Sequence, residues 1–210
     1  TGTLAADNLG NPITFTGAEP NLVPTSSSNV MSSLQPIGFD FVFMGKYYSH
    51  FVVGSNGDVG LGVFNSSANI LGASDFNDLT RTVVYPPTIN NAPVLAAFWD
   101  KMTTPSGSGP TVRAMITGTA PNRCKVIEWN TIINSAPVPA TSAKFQMRLY
   151  EGSGIIEYVY GNMSIVMSSI TVTASIGFTA GINDNQFLAL QNLTSFPFTT
   201  IASQEPPTQN

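Results

Sequence analysis

The sequence predicts an all-β protein, a two-layer antiparallel β-sandwich of jelly-roll type, and three observations carry that reading. Apolar residues recur with period two, the repeat of a strand, over most of the chain. Turn residues punctuate it at intervals of roughly 8 to 12 residues, which divides it into about ten to twelve short strands. No amphipathic stretch of helical length stands between them, and a doubly wound α/β fold would need such crossovers. The expected layout is one domain over 1–203, a terminal strand in 1–15 able either to exchange or to fold back on its own sheet, and a tail over 204–210 with two prolines.

The first clear strand is Ile37 to Phe43, with Ile37, Phe39, Phe41 and Phe43 on one face and Gly38, Asp40 and Val42 on the other. After Met44-Gly45-Lys46, the segment YYSHFVV runs to Asn56-Gly57, a dipeptide that suits a type I′ hairpin turn, and VGLGV returns from it. Residues 65–91 are small and polar and read as a long surface excursion, with a short helical turn at Ser74 to Leu79. VLAAFWD, opened by Pro93, is continuously apolar and suits a strand covered on both faces. Thr103 to Pro110 reads as an exposed loop. Strands are then expected at Thr111 to Thr117, Arg123 to Ile133, Lys144 to Tyr150 and Ile155 to Tyr160. In the hairpin KFQMRLYEGSGIIEYVYG, Phe145, Met147 and Leu149 face the core while Gln146, Arg148 and Tyr150 face water or a partner. ITVTASIGF, FLAL and an apolar piece from Phe196 to Ile201 complete the set.

Composition removes whole classes of function. The 210 residues carry 8 Lys+Arg against 12 Asp+Glu, a net charge of -4, so nothing is offered to nucleic acid phosphates or to an anionic membrane. Only 10% of residues are charged, yet 42% are hydrophobic, which excludes a disordered chain. A single cysteine, Cys124, rules out an internal disulfide, and a single histidine, His50, rules out His-rich metal sites. No apolar run is long enough to insert in a membrane as a helix. The amino-terminal TGTLAADNLG has no initiating Met, so the chain reads as mature and exported, and the lack of disulfides suits a bacterial surface.

Four segments in order carry a family resemblance. IGFDFVFMGKYYSHFVVGSNGDVGLG resembles the strand, Gly turn and strand leading to S-N-G of nidogen-like domains and of β-sandwich modules in secreted and surface proteins of Bacteroidota-type bacteria. APVLAAFWDKM resembles their P-x-I-A-P-F-W-D segment, KFQMRLYEGSGIIEYVYG their hairpin ending in Y-G, and ASIGF their late strand. Ala97 stands where such domains often have Pro, and Lys101 follows Asp100 where a second acid is common. The resemblance implies an extracellular, non-catalytic module and brings no catalytic residues with it.

Each candidate site also has a plainer role. Glu128 and Glu157 could pair as the acid and nucleophile of a glycosidase, but each alternates with apolar neighbours as a solvent-facing strand residue does. GSNGD and EGSGI sit on β-turns and not on a nucleophile elbow. His50 suits a rim position better than a catalytic base. Asp75, Asn77, Asp78 and Asn183-Asp184-Asn185 carry oxygen ligands without the spacing of a calcium loop, so no metal and no cofactor is expected. Asn65, Asn162 and Asn192 open glycosylation sequons that are accidents in a bacterial protein. Trp129, Tyr150 and Tyr158 are the outward aromatics that could stack on a sugar, whereas Trp99 belongs to the core. Long uncharged stretches, ITVTASIGF and LQNLTSFPFTTIAS, leave sheet edges unguarded. The expected activity is therefore adhesion or self-assembly at a cell surface, a filament built by strand addition being one form of it, with copies of itself or other surface and matrix proteins as partners. A polysaccharide-binding accessory domain is the alternative.

Overall fold

A computed structural model describes residues 3–62, 79, 92–133, 142–163, 174–180, 187–191 and 201–204. Most of the 65–91 excursion, its helical turn, the candidate calcium ligands, two of the three sequons and the 205–210 tail lie outside the described residues. The described residues form twelve strands and no helix. They are β1 (Gln35–Phe43), β2 (Lys46–Val53), β3 (Asp58–Leu61), β4 (Val94–Trp99), β5 (Met102–Thr103), β6 (Val112–Thr117), β7 (Cys124–Ile133), β8 (Ser142–Tyr150), β9 (Ile156–Met163), β10 (Ser175–Thr179), β11 (Phe187–Gln191) and β12 (Ile201–Gln204).

Two antiparallel sheets pack face to face. One runs β1-β2-β3-β4-β10-β11-β12, and the other β5-β7-β8-β9, with β6 on the same flank of β7 as β5. The chain crosses between sheets after β4 and returns after β9 to set β10 beside β4, β5 pairs β7 past β6, and the remaining pairings join neighbours in sequence. Ile37, Phe39, Phe41 and Phe43 of β1 all point into the shared core, as their alternation predicts. β4 is buried on both faces: Leu95, Ala97 and Phe98 join that core, while Val94, Ala96 and Trp99 form a second cluster with Leu79 on the opposite side of the sheet.

Three aromatic side chains of the second sheet tie the layers together through their polar tips. Trp129 Nε1 donates to the Gly54 carbonyl at 2.8 Å, Tyr158 Oη to Gly177 at 2.6 Å and Tyr160 Oη to Ala97 at 2.6 Å. The Trp129 indole also stacks on Phe145 with centroids 5.0 Å apart, so it supplies apolar area while its own donor is satisfied.

The Asn56-Gly57 hairpin forms, with one departure. Gly57 alone takes positive φ, at +88°, whereas a type I′ turn needs two such residues. The turn is also buried: Ser55, Asn56 and Asp58 are covered by the segment before β1. Asn56 Nδ2 donates to Asn29 Oδ1 at 2.6 Å, and Val30 N donates to Ser55 Oγ at 3.1 Å. A Cβ at Gly57 would collide with the Phe98 carbonyl, so this close approach needs glycine on two counts.

Candidate functional site

The polar side chains of the second sheet gather on its outer face, away from the shared core. Arg113 on β6, Glu128 on β7, Gln146 and Arg148 on β8 and Glu157 on β9 line it, placed there by the same alternation that sends Ile127, Trp129, Phe145, Met147 and Leu149 inward. They form a relay. Arg113 Nη2 donates to Glu128 at 3.0 Å, and Gln146 Nε2 donates to the other Glu128 oxygen at 2.8 Å. Arg148 Nη2 donates to Gln146 Oε1 at 2.7 Å and Nη1 to Glu157 at 3.2 Å. Tyr150 Oη completes it with a hydrogen bond to Glu157 at 2.8 Å.

This face is closed by the chain's own amino-terminal residues. Residues 3–15 do not lie as an extended strand in a ladder. They fold into a small hairpin bridged at Thr3 with Ala6 and at Ala6 with Pro12. The Asp7 carboxylate shapes its turn by accepting from Leu9 N at 3.0 Å, Asn11 N at 2.8 Å and Asn11 Nδ2 at 2.9 Å. Arg148, whose side chain is 0% exposed, donates Nη1 to the Ala6 carbonyl at 2.6 Å and Nη2 to that of Thr3. Asn8 N donates to Tyr150 Oη at 2.8 Å. Ile13 packs with Cys124, Val126 and Tyr150, and Leu4 lies so close over Gly161 that a side chain there would displace it. Burial raises the Cys124 thiol to about 12 and pushes the Tyr150 phenol up as well.

These positions correct several expectations. Trp129 is 0% exposed and points into the core, and Tyr158 is half-buried with its hydroxyl bonded across the sandwich. Tyr150 does lie on the outer face, yet it is only 2% exposed because the hairpin covers it. The three rings thus form no surface platform. Adjacent strand residues face opposite ways, so Glu128 outward already implies Trp129 inward, and Glu157 outward implies Tyr158 inward. Glu128 and Glu157 share a face but neither stands free on it: Glu128 is buried against Arg113 and Gln146, and Glu157 is half-buried against Arg148 and Tyr150. Gln146 and Arg148 occupy the space between them that a glycosidic bond would need. His50 sits partly exposed on β2, its Nδ1 2.9 Å from Ser49 Oγ. Among the described residues no three His, Cys, Asp or Glu side chains gather in a way that could hold a metal ion. That the amino-terminal segment folds back on its own sheet is one of the two courses the sequence leaves open, but the residues that seat it are not evident there. Its one signal is Arg148, a cation at the centre of an otherwise buried strand, which requires acceptors from somewhere.

A family model described as NIDO related matches residues 10–210 of the chain. No curated protein and no solved structure matches it.

Proposed function

The chain belongs to the NIDO-related family, whose nidogen-like character points to an extracellular, matrix-like module, and from that premise we propose a non-catalytic bacterial surface or matrix protein whose activity is adhesion or self-assembly. The observation that carries this reading is the closed outer face. Among the described residues the paired carboxylates of that face, Glu128 and Glu157, are spent on Arg113, Gln146, Arg148 and Tyr150, and the reading rests on backbone edges and apolar surface as the means of contact. Strand β9 ends its sheet among the described residues, and its only charged side chain, Glu157, turns toward Arg148 and Tyr150 and does not guard the edge. At one end of the sandwich Val42, Met44, Tyr47 and Ile155 are exposed, Tyr47 at 75%, where the β1-β2 turn meets the β8-β9 turn. Light scattering and negative-stain microscopy of the full chain over a range of concentrations test the proposal. Large species that grow with concentration and need no added ligand are expected, and a monomer at every concentration would remove the assembly reading.

A further inference from the structure

We infer that the hairpin of residues 3–15 is exchanged between copies of this chain, each copy's hairpin seating on the outer face of another copy's second sheet. The inference rests on the assembly reading above and names the contact that performs it.

The hairpin is a unit in its own right. Asp7 N donates to Asn11 O at 3.0 Å, Ile13 N to Ala5 O at 3.0 Å and Gly10 N to Asp7 O at 3.0 Å, and with the Asp7 side-chain bonds these travel with it wherever it seats. Its socket grips it by side chains, through Arg148 on two carbonyls, Tyr150 on the Asn8 amide, Thr117 Oγ1 on the Pro12 carbonyl at 3.3 Å and an apolar bed around Ile13. None of these contacts depends on which copy supplies the hairpin, so exchange keeps them all.

The chain also divides where exchange requires it. From Asn21 onward the next segment is fixed to β5 and β6: Leu22 N donates to Val112 O at 2.8 Å, Thr111 Oγ1 to Val23 O at 2.7 Å and Thr104 N to Ser27 O at 2.9 Å. Between unit and anchor lies 16–20, TGAEP, where Thr16, Gly17, Ala18 and Pro20 are exposed. Within this connector the Glu19 carboxylate accepts from Thr16 N at 3.0 Å and Gly17 N at 3.0 Å and pairs with Arg113 of β6 at 3.7 Å, and Gly17 takes φ +89°. Five residues between two separately seated units leave little slack, and shortening them would strain the seat within one copy while leaving a seat on another copy open.

The single cysteine supplies the test, because Cys124 lies in the socket beside Ile13. Full chains carrying Ile13→Cys with Cys124→Ser are mixed with unaltered chains, oxidised, and run on a non-reducing denaturing gel. Exchange brings the cysteine of one copy's hairpin onto Cys124 of another, and a covalent dimer band absent from either protein alone is expected. A second pair, Pro12→Cys and Thr117→Cys on separate Cys124→Ser chains, reports the same seat from the surface should Ile13→Cys fold poorly. Removal of Gly17 and Ala18 should increase the dimer band. Mixtures that stay monomeric on the gel while light scattering shows large species would overturn exchange and leave assembly standing. Monomer by both measures would overturn the two together.

Discussion

Strand β8 is buried along both of its faces, and the two faces obey different rules. Inward, Phe145, Met147 and Leu149 meet Trp129, Ile127 and other apolar groups, and their contribution depends on filled volume. Outward, Gln146, Arg148 and Tyr150 meet a relay of acids and the carbonyls of a folded-back hairpin, and their contribution depends on every donor finding an acceptor. The first face is complete once the two sheets close. The second is complete only while the hairpin is seated. The comparison teaches that equal burial can conceal unequal permanence.

Four changes break or sharpen this contrast. Phe145→Ala removes a fully buried ring from between Trp129 and Phe98 and should cost about 3–5 kcal/mol in denaturant unfolding. Cys124 should then react with a thiol reagent only as the whole domain unfolds, and earlier reaction would show that the two faces are not separable. Arg148→Ala should cost about 3 kcal/mol, because Glu157 and two backbone carbonyls lose a buried partner. Here the thiol should become reactive in protein that is still folded, the opposite pattern to Phe145→Ala. Tyr150→Phe deletes the hydroxyl shared by Asn8 N and Glu157 and should cost about 1 kcal/mol, with a smaller gain in thiol reactivity. Unchanged reactivity in both outer-face variants would mean that the hairpin seats without them.

The smallest effect concerns the connector. Glu19 is lowered from 4.5 to about 2, first by the Thr16 backbone amide and then by further backbone and side-chain hydrogen bonds. A depressed carboxyl stabilises the turn above the ordinary carboxylate range and gives up that contribution as pH falls through the depressed value. The Thr16 and Gly17 amide resonances should therefore titrate near pH 2. A midpoint near 4.5 would mean that the turn is not held by this carboxylate, and Glu19→Gln should abolish the step.

Much of the fold was legible because strand alternation and turn residues are local signals. The phenylalanines of β1, the uninterrupted β4 and the β8-β9 hairpin each follow from a few consecutive residues. The site was legible only in part. In CKVIEWN both faces of β7 end up covered, so polarity alone does not separate the core side from the covered side. Glu128 resembles a surface residue because its neighbours 126 and 130 do not show that Arg113 and Gln146 of the flanking strands enclose it. Trp129 was misjudged as outward although its adjacency to Glu128 fixes it inward. The burial of the GSNGD turn is hidden for a similar reason, since the Asn29 and Val30 that bond to it precede it by some distance in the chain. What the sequence conceals is the meeting of segments far apart, and the outer face consists of such meetings.

That separation has a consequence in time. Ala6 and the Arg148 that holds it are 142 residues apart. At a synthesis rate of about 5–20 residues per second, the seat is made roughly 7–28 s after the hairpin leaves the ribosome. Its internal turn can form at once, but Leu4, Ile13 and Phe15 have nothing to rest on until β6 to β9 exist. The earliest part of the described chain to be synthesised is thus among the last to settle, and throughout that interval neighbouring nascent copies stand in the same condition.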